Sequence, residues 1–385
     1  MKGHIHERSP GHWAIVVDAR DPQTGKRKRR WHSFQGTKRQ AQIECARLVT
    51  EIETGAAVDP TRITLSEFLD RFERDWISIH VTPASAKRYK LSLAYARQRL
   101  GGRRLQTLRA ADLAAFYAAF SQSLAPRTVR HAHLVLHKAF EQARLWGLLR
   151  DNPADLAKPP PIPETEISIL QPDQARELLE RLRGHELYML AALALATGAR
   201  RNELLGLRWS DLDLNTGRMR IEQALEQASG AVQVKSPKTR AGRRTLTLPP
   251  AMVAELRAHW VAQQEQRMAL GLGRSPADGF VLAAIDGGPQ RPDPLSKRWG
   301  ETMDRLGMPE ITLHSLRHTH ASMLIAAGMD ILTVSRRLGH ASPTITLNTY
   351  GHTIHGTDDR AAQILDQALG SKMVADGSKE PGNLR

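Results

Sequence analysis

At 385 residues the chain is too long for one ordinary hydrophobic core, so two or three domains are expected. Lys and Arg total 55 against 40 Asp and Glu, a formal net charge of +15 that points to a polyanionic partner, nucleic acid by default. Apolar runs fall short of the ~18–20 residues of a membrane span, the single cysteine, Cys45, excludes an internal disulfide framework or clustered-cysteine zinc site, and the opening MKGHIHERSPGHW lacks the apolar stretch of a secretory signal. A cytoplasmic protein with no membrane partner is therefore expected.

From Trp13 to Phe34 the sequence reads as two strands, HWAIVVDA and KRKRRWHSF, joined by the turn-forming RDPQTG, with the residues before them a polar lead-in. A helix over Lys38–Glu53 follows, with Thr37 as its N-cap, giving a small ββα unit over residues 1–58. Lys26, Arg27, Lys28, Arg29 and Arg30 stand in succession on the second strand. Five adjacent like charges repel unless a polyanion neutralises them, so DNA contact is expected there.

Gly55 and Pro60 interrupt the pattern, and a helix opens at Thr64 with LSEFLDRFERDWI. Helical spacing continues over Ala84–Leu100, Arg109–Ser121 and Ala125–Trp146, and between Thr61 and Asp155 there are 16 Lys and Arg against 8 Asp and Glu. A helical DNA-gripping domain over 62–155 is expected, with Lys87, Arg88, Arg127 and Arg130 among its contacts. Four prolines between Pro159 and Pro163 cannot continue a helix, and residues 156–166 read as a linker. Beyond it, HELYMLAALALATGARRNELLGLRWSDL reads as helical. Short strands are expected near 218–224, 232–234 and 245–248. Helices are then expected over about 250–270, 295–306, 315–327, 331–338 and 344–350, followed by a polar tail from 356 holding a weak helix at 359–369. The fold class is α+β, mostly α: a mainly helical domain over 167–355 with a small antiparallel sheet, behind a helical domain and the ββα unit.

Within 167–355 lies a spaced set of cations, imidazoles and one phenol: TGARRNELLGLRW with Arg200, SPKTRAGRRTLTL with Lys238, HSLRHTHAS with His314 and Arg317, RRLGHAS with His340, and TITLNTYGH with Tyr350. Five such motifs in this order over about 150 residues closely resemble the tyrosine recombinases, or phage integrase family, from about Ile167 to His352. The resemblance implies a site-specific DNA recombinase of a prophage or other mobile element. Such an enzyme cuts and rejoins strands through a 3′-phosphotyrosine.

The reaction needs charge neutralisation at phosphorus, an in-line nucleophile and a proton for the leaving alkoxide. Arg200 and Arg317 suit the first task, because a guanidinium is always charged and forks onto two phosphate oxygens; by resemblance they are the paired catalytic arginines. Lys238, in a turn between two short strands, matches the general acid in preference to Lys235. Nearby cations would lower its ammonium pKa toward neutrality. His314 and His340 are placed by the resemblance near the phosphate, as hydrogen-bond donors or as a base assisting the tyrosine. His318, at i+4 from His314, is expected to pack beneath the site, and Glu203 to orient a catalytic side chain. By resemblance Tyr350 is the nucleophile, in a short polar helix where burial does not fully account for it. A phenol of pKa ~10 needs nearby cations to attack as phenolate. Arg243 and Arg244, in the same basic turn as Lys238, are expected to contact DNA.

The resemblance further implies an arm-type DNA-binding unit at the N-terminus and a core-binding domain over about 62–155. The expected partners are double-stranded attachment sites, three further protomers on two duplexes, and an accessory bending or directionality factor. No cofactor or metal is implied. Three other readings stand beside this one: a type IB topoisomerase-like relaxing enzyme, a non-catalytic DNA-binding regulator, and a metallohydrolase built on His314, His318 and His320.

Overall fold

The computed structural model describes residues 3–20, 27–53, 58, 60–163, 167–228, 231–236, 240–351 and 362–369. Contacts divide the chain into two compact units, Met1–Glu164 and Thr165–Arg385. The chain is α+β and mostly helical, with small antiparallel sheets. Among the described residues no helix is long and apolar enough to cross a membrane.

The first unit begins with three antiparallel strands rather than two: β1 (Gly3–Ser9), β2 (His12–Arg20) and β3 (Arg27–Gln35), with β2 central. The supposed polar lead-in is thus an edge strand. It went unread because an edge strand exposed on most of its length carries little apolar alternation, and β1 is buried only partly. The central strand supplies the core: Ile15 and Val17 pack with Cys45 and Leu48 of helix α1 (Lys38–Glu53). Thr37 caps α1 as expected, its hydroxyl accepting from the Gln40 amide at 3.3 Å while the Gln40 side chain accepts from the Thr37 amide at 2.8 Å.

A helical bundle with its own core follows: α2 (Leu65–Phe72), the short α3 (Ser78–His80), α4 (Pro83–Leu100), α5 (Ala110–Ser121) and α6 (Pro126–Leu145). Thr64 and Glu67 form a reciprocal capping box that starts α2, and the helix passes through a π-helical turn at Glu73–Ile77. Phe68, Phe72, Leu93, Leu136 and Phe140 are fully enclosed. Apolar residues at helical spacing on α6, from Val129 to Ala143, face this core. The opposite faces of α4 and α6 leave Lys87, Arg88, Arg127 and Arg130 exposed.

In the second unit α7 (Pro172–Arg181) leads to α8 (Tyr188–Thr197), whose residues Met189–Ala194 are all buried. The sequence reads as one helix through this region, but the chain breaks at Gly198, which adopts φ +63°, and restarts as α9 (Arg201–Leu205). A left-handed glycine ends a helix without a Cβ penalty. Here it also makes room, since a Cβ on Gly198 would lie 2.6 Å from the His320 ring and 2.8 Å from Leu338. Strands β4 (Leu212–Asp213), β5 (Arg218–Ile221) and β8 (Arg244–Thr247) form one sheet, and β6 (Ala224–Ala228) with β7 (Ala231–Lys235) form another. Strands β7 and β8 therefore belong to different sheets, and the turn expected around Lys238 lies outside the described residues. Helices α10 (Pro250–Ala269), α11 (Pro292–Arg305), α12 (Leu313–Ala326), α13 (Ile331–Leu338) and α14 (Pro343–Tyr350) complete the unit. Residues 362–369 are also helical.

Gly307, at φ +69° with open space around its Cβ direction, provides a control for Gly198. Urea denaturation should show a loss of about 1 kcal/mol for Gly307→Ala, the ordinary left-handed penalty, and about 3 kcal/mol or more for Gly198→Ala, where the clash adds to it. Equal losses would mean that the close approach of α12 to the end of α8 is not a constraint.

Candidate active site

Every α-helix ends with carbonyls that have no partner within the helix, and the partial negative charge collected there favours cations. The C-terminus of α13 uses this three times over. Gly339, at φ +68°, turns the chain out of the helix. The three consecutive carbonyls of Arg337, Leu338 and Gly339 then accept from Arg244 Nε at 2.7 Å, Arg317 Nη2 at 2.8 Å and Arg200 Nη2 at 3.1 Å. The end of α8 is satisfied in the same way. Arg317 Nη1 donates to Gly198 O at 2.7 Å, Arg337 Nη2 to Ala196 O at 3.0 Å and His320 Nδ1 to Leu195 O at 2.7 Å. Arg317 therefore bridges two helix ends while retaining further N–H donors of its fork.

Glu203 holds this group together from below. It is 4 % exposed and accepts from Arg200 Nη1 at 2.8 Å, from Arg244 Nη2 at 2.9 Å and Nη1 at 3.3 Å, and from the Arg200 amide at 2.9 Å. Burial alone would raise its pKa, but the hydrogen bond and charge of Arg244, together with Arg200, outweigh this and hold it below the usual carboxylate range. The expected orienting role of Glu203 has this geometry behind it. Arg244, expected on the DNA surface, is corrected by the same contacts: its side chain is 7 % exposed and committed to Glu203 and the Arg337 carbonyl. Its neighbour Arg243 points outward and donates to Ser236 Oγ at 3.0 Å. Arg317 is 2 % exposed, and burial together with the positive charge of Arg200 pulls it down to about 9.

Tyr350 closes α14 and is 2 % exposed, its ring packed with Ala321, Ile325, Val334 and Leu338. Burial pushes the phenol up to about 12, with Arg317 opposing the rise. Its hydroxyl lies 2.6 Å from His318 Nδ1, so His318 does not merely pack beneath the site. The ring of His314 meets that of His318 edge-on at 4.6 Å between centroids. His340 Nδ1 lies 2.7 Å from the buried Thr346 hydroxyl, one turn before Tyr350. Burial, then Arg317, Arg200 and Arg244, bring His340 down to about 4. His314 presents an open edge to solvent, yet packing beneath it and the charges of Arg317 and Arg200 lower it too. Burial first, and then repulsion from the arginines, favours the neutral form of these imidazoles, and a negative charge beside them would oppose that.

Five expected site residues thus converge: Arg200, His314, Arg317, His340 and Tyr350. Lys238 lies outside the described residues. Lys235, its rival, is paired with Glu226 across β6 and β7. Arg200, Glu203, Lys235, Ser236 and His314 line a cavity of about 770 Å³. Of the basic strand, Lys26 lies outside the described residues, while Arg27, Lys28, Arg29 and Arg30 belong to β3, with Arg29 exposed and 3.4 Å from Asp18. The metal reading on His314, His318 and His320 fails on geometry. His320 donates through Nδ1 to Leu195 O, and its Nε2 accepts from Arg337 Nε at 3.0 Å, leaving no lone pair for an ion.

Replacing Glu203 by Gln leaves the Arg244 guanidinium buried without its counter-charge and should cost about 3 kcal/mol at neutral pH. Because the folded carboxyl titrates below its ordinary 4.5, its contribution is complete above that value and is lost as pH falls through the folded pKa. The gap in urea midpoint between wild type and Glu203→Gln should therefore hold at neutral pH and narrow only below pH 4.5. A gap closing at higher pH would mean a raised carboxyl.

Residues 168–355 match the model of the phage integrase family. A tyrosine recombinase XerC-like protein of Caldanaerobacter subterraneus subsp. tengcongensis is 26 % identical over 376 residues, 92 % of this chain and 96 % of the relative. The ICEBs1 integrase of Bacillus subtilis is 27 % identical over 64 % of this chain and 67 % of its own length. Among solved structures, the Tn1549 transposon integrase in complex with transposon right-end DNA shares the fold with a TM-score of 0.67 at 21 % identity, over 79 % of this chain and 99 % of that one. With the motif order, the fold and these relatives in agreement, residues 168–355 form a phage integrase family domain, that of a tyrosine recombinase.

Proposed function

We propose that this site-specific DNA recombinase cuts each strand by in-line attack of Tyr350 Oη on a backbone phosphate, integrating or excising a mobile element. The observation that carries the reading is the pair Arg200 and Arg317, held on adjacent carbonyls of α13 while the buried Tyr350 packs against the same helix. Their remaining N–H donors would bind non-bridging oxygens and stabilise the charge that builds on phosphorus. They are set in place beforehand, so little reorganisation is needed. His314 and His340, neutral before DNA arrives, would donate to the same oxygens. Lys238, read as the general acid, would protonate the departing 5′ oxygen. The products are a 3′-phosphotyrosine and a free 5′-hydroxyl, so bond energy is conserved and rejoining needs no ATP. Exchange between two duplexes breaks four strands, which calls for four protomers with one Tyr350 each.

The exposed cations Lys87, Arg88, Arg127 and Arg130 support a core-binding role for the helical bundle over 62–155, and the basic run on β3 an arm-type role for residues 1–58. Residues 156–166 would then be the linker, 167–355 the catalytic domain and 356–385 a tail. An accessory bending or directionality factor fits a reaction whose direction must be chosen, and a DNA target accords with the cytoplasm expected from the lone Cys45. Relaxation alone, or binding without cleavage, is not favoured: the matched relatives are recombinases and integrases.

The test is a nicked suicide duplex cut from the joined ends of the element that encodes the chain. Wild type should form a covalent adduct on denaturing gels and Tyr350→Phe none; an adduct with the phenylalanine variant would overturn the assignment. Arg317→Lys, which cannot span two helix ends and a phosphate together, should slow adduct formation by ~10²-fold or more. Non-specific DNA affinity should fall with salt by about 0.9 logarithmic units per phosphate neutralised. Replacing Lys87, Arg88, Arg127 and Arg130 by Ala should flatten that slope; an unchanged slope would remove the bundle from the DNA surface.

A further inference from the structure

His318 stands in none of the roles assigned above, yet its Nδ1 is the atom 2.6 Å from the hydroxyl of Tyr350. We infer that His318 is the base that takes the phenolic proton of Tyr350 during strand cleavage and returns it during rejoining; the inference rests on Tyr350 being the nucleophile.

The contact is built from rigid parts. His318 follows Arg317 on α12, and the Tyr350 ring is gripped by Ala321 and Ile325 of the same helix together with Val334 and Leu338 of α13. The ring is thus fixed by packing and its oxygen delivered to the imidazole, with the two rings tilted by 57° at 5.6 Å. The other histidines are occupied differently. His340 faces Thr346 through Nδ1, His320 is engaged at both nitrogens, and His314 meets His318 by its ring. Burial, then His314 and Arg317, lower His318 to about 4, so its ring is neutral at neutral pH and has one nitrogen lone pair to offer.

At rest a phenol near 12 does not surrender its proton to such an imidazole. The transfer becomes favourable only as the Oη–P bond forms and the phenol oxygen loses its basicity. The phosphate anion beside the site then stabilises the new imidazolium. In cleavage the Tyr350 O–H proton moves to His318 Nδ1, the Oη–P bond forms, the P–O5′ bond breaks, and O5′ takes a proton from the general acid read as Lys238. In rejoining, the 5′-hydroxyl attacks phosphorus and returns its proton to the group read as Lys238, the P–O5′ bond forms, the Oη–P bond breaks, and Oη recovers its proton from His318. A proton held next to the tyrosine thereby keeps the covalent intermediate ready to reverse.

The experiment is single-turnover adduct formation by the full chain on the same nicked duplex, with His318→Asn, which keeps a polar atom near the Nδ1 position but no protonatable ring, and His318→Ala. Both should bind the duplex as wild type does and form adduct ~10²-fold or more slowly. Two chemical arms separate a base from a structural prop. Placing a fluorinated tyrosine at position 350 lowers the phenol pKa and should restore much of the lost rate to His318→Asn. A duplex with sulfur at the bridging 5′ position needs no leaving-group protonation; it should rescue Lys238→Ala and leave His318→Asn slow. A rate for His318→Asn within about threefold of wild type, rescue by sulfur instead of fluorination, or rescue by neither would each overturn the inference while Tyr350 stands as nucleophile. An adduct formed by Tyr350→Phe would instead overturn the reading beneath it.

Discussion

Three consecutive carbonyls at the end of α13 hold the second unit's chemistry in place. A guanidinium cannot shed its charge in a protein interior, so Arg317, at 2 % exposure, is tolerable only where acceptors are already aimed at it. The ends of α8 and α13 provide them, because a helix terminus is a place where unpaired carbonyls must face something. Two left-handed glycines, Gly198 and Gly339, turn the chain away from those carbonyls and leave them open to cations. The arginines that would bind phosphate are thus the groups that complete two helix ends, so stability and the proposed catalysis would draw on the same contacts.

The electrostatic state of the empty site follows. Arg200, Arg244 and Arg317 are gathered around the carboxylate of Glu203, an excess of positive charge in partly dry surroundings. Burial, with that excess added to it, disfavours the charged forms of His314, His340 and Arg317, and a negative charge placed beside them would oppose the shift. The same burial acts on Tyr350, where it favours the protonated phenol. In the proposed reaction that phenol would become a nucleophile only as the bond to phosphorus forms.

Much of this was readable from the amino acids, with failures of a physical kind. Strand alternation could have separated Arg243, outward, from Arg244, inward, but a run of basic residues hides the period that reveals burial. The edge strand β1 exposes most of its side chains and so carried no apolar signal. Gly198 interrupts a stretch whose composition is helical on both sides, and a single glycine is weak evidence against such a run. The spacing of His314 and His318 placed them on one face of a helix without telling which element that face meets.

The sequence by itself determined the kinds of group available and their order: two arginines, a lysine, histidines and a terminal tyrosine, on a basic, mostly helical chain with a proline-rich break. Tertiary structure alone decided which arginine is spent on a carboxylate and which keep donors to spare, and which histidine touches the phenol. The reason is distance along the chain. Arg317 finds its acceptors 119 and 21 residues away, and Tyr350 meets His318 across 32. Local pattern registers a residue's own helix or strand, whereas the carbonyl or hydroxyl opposite it is set by how separate helices pack.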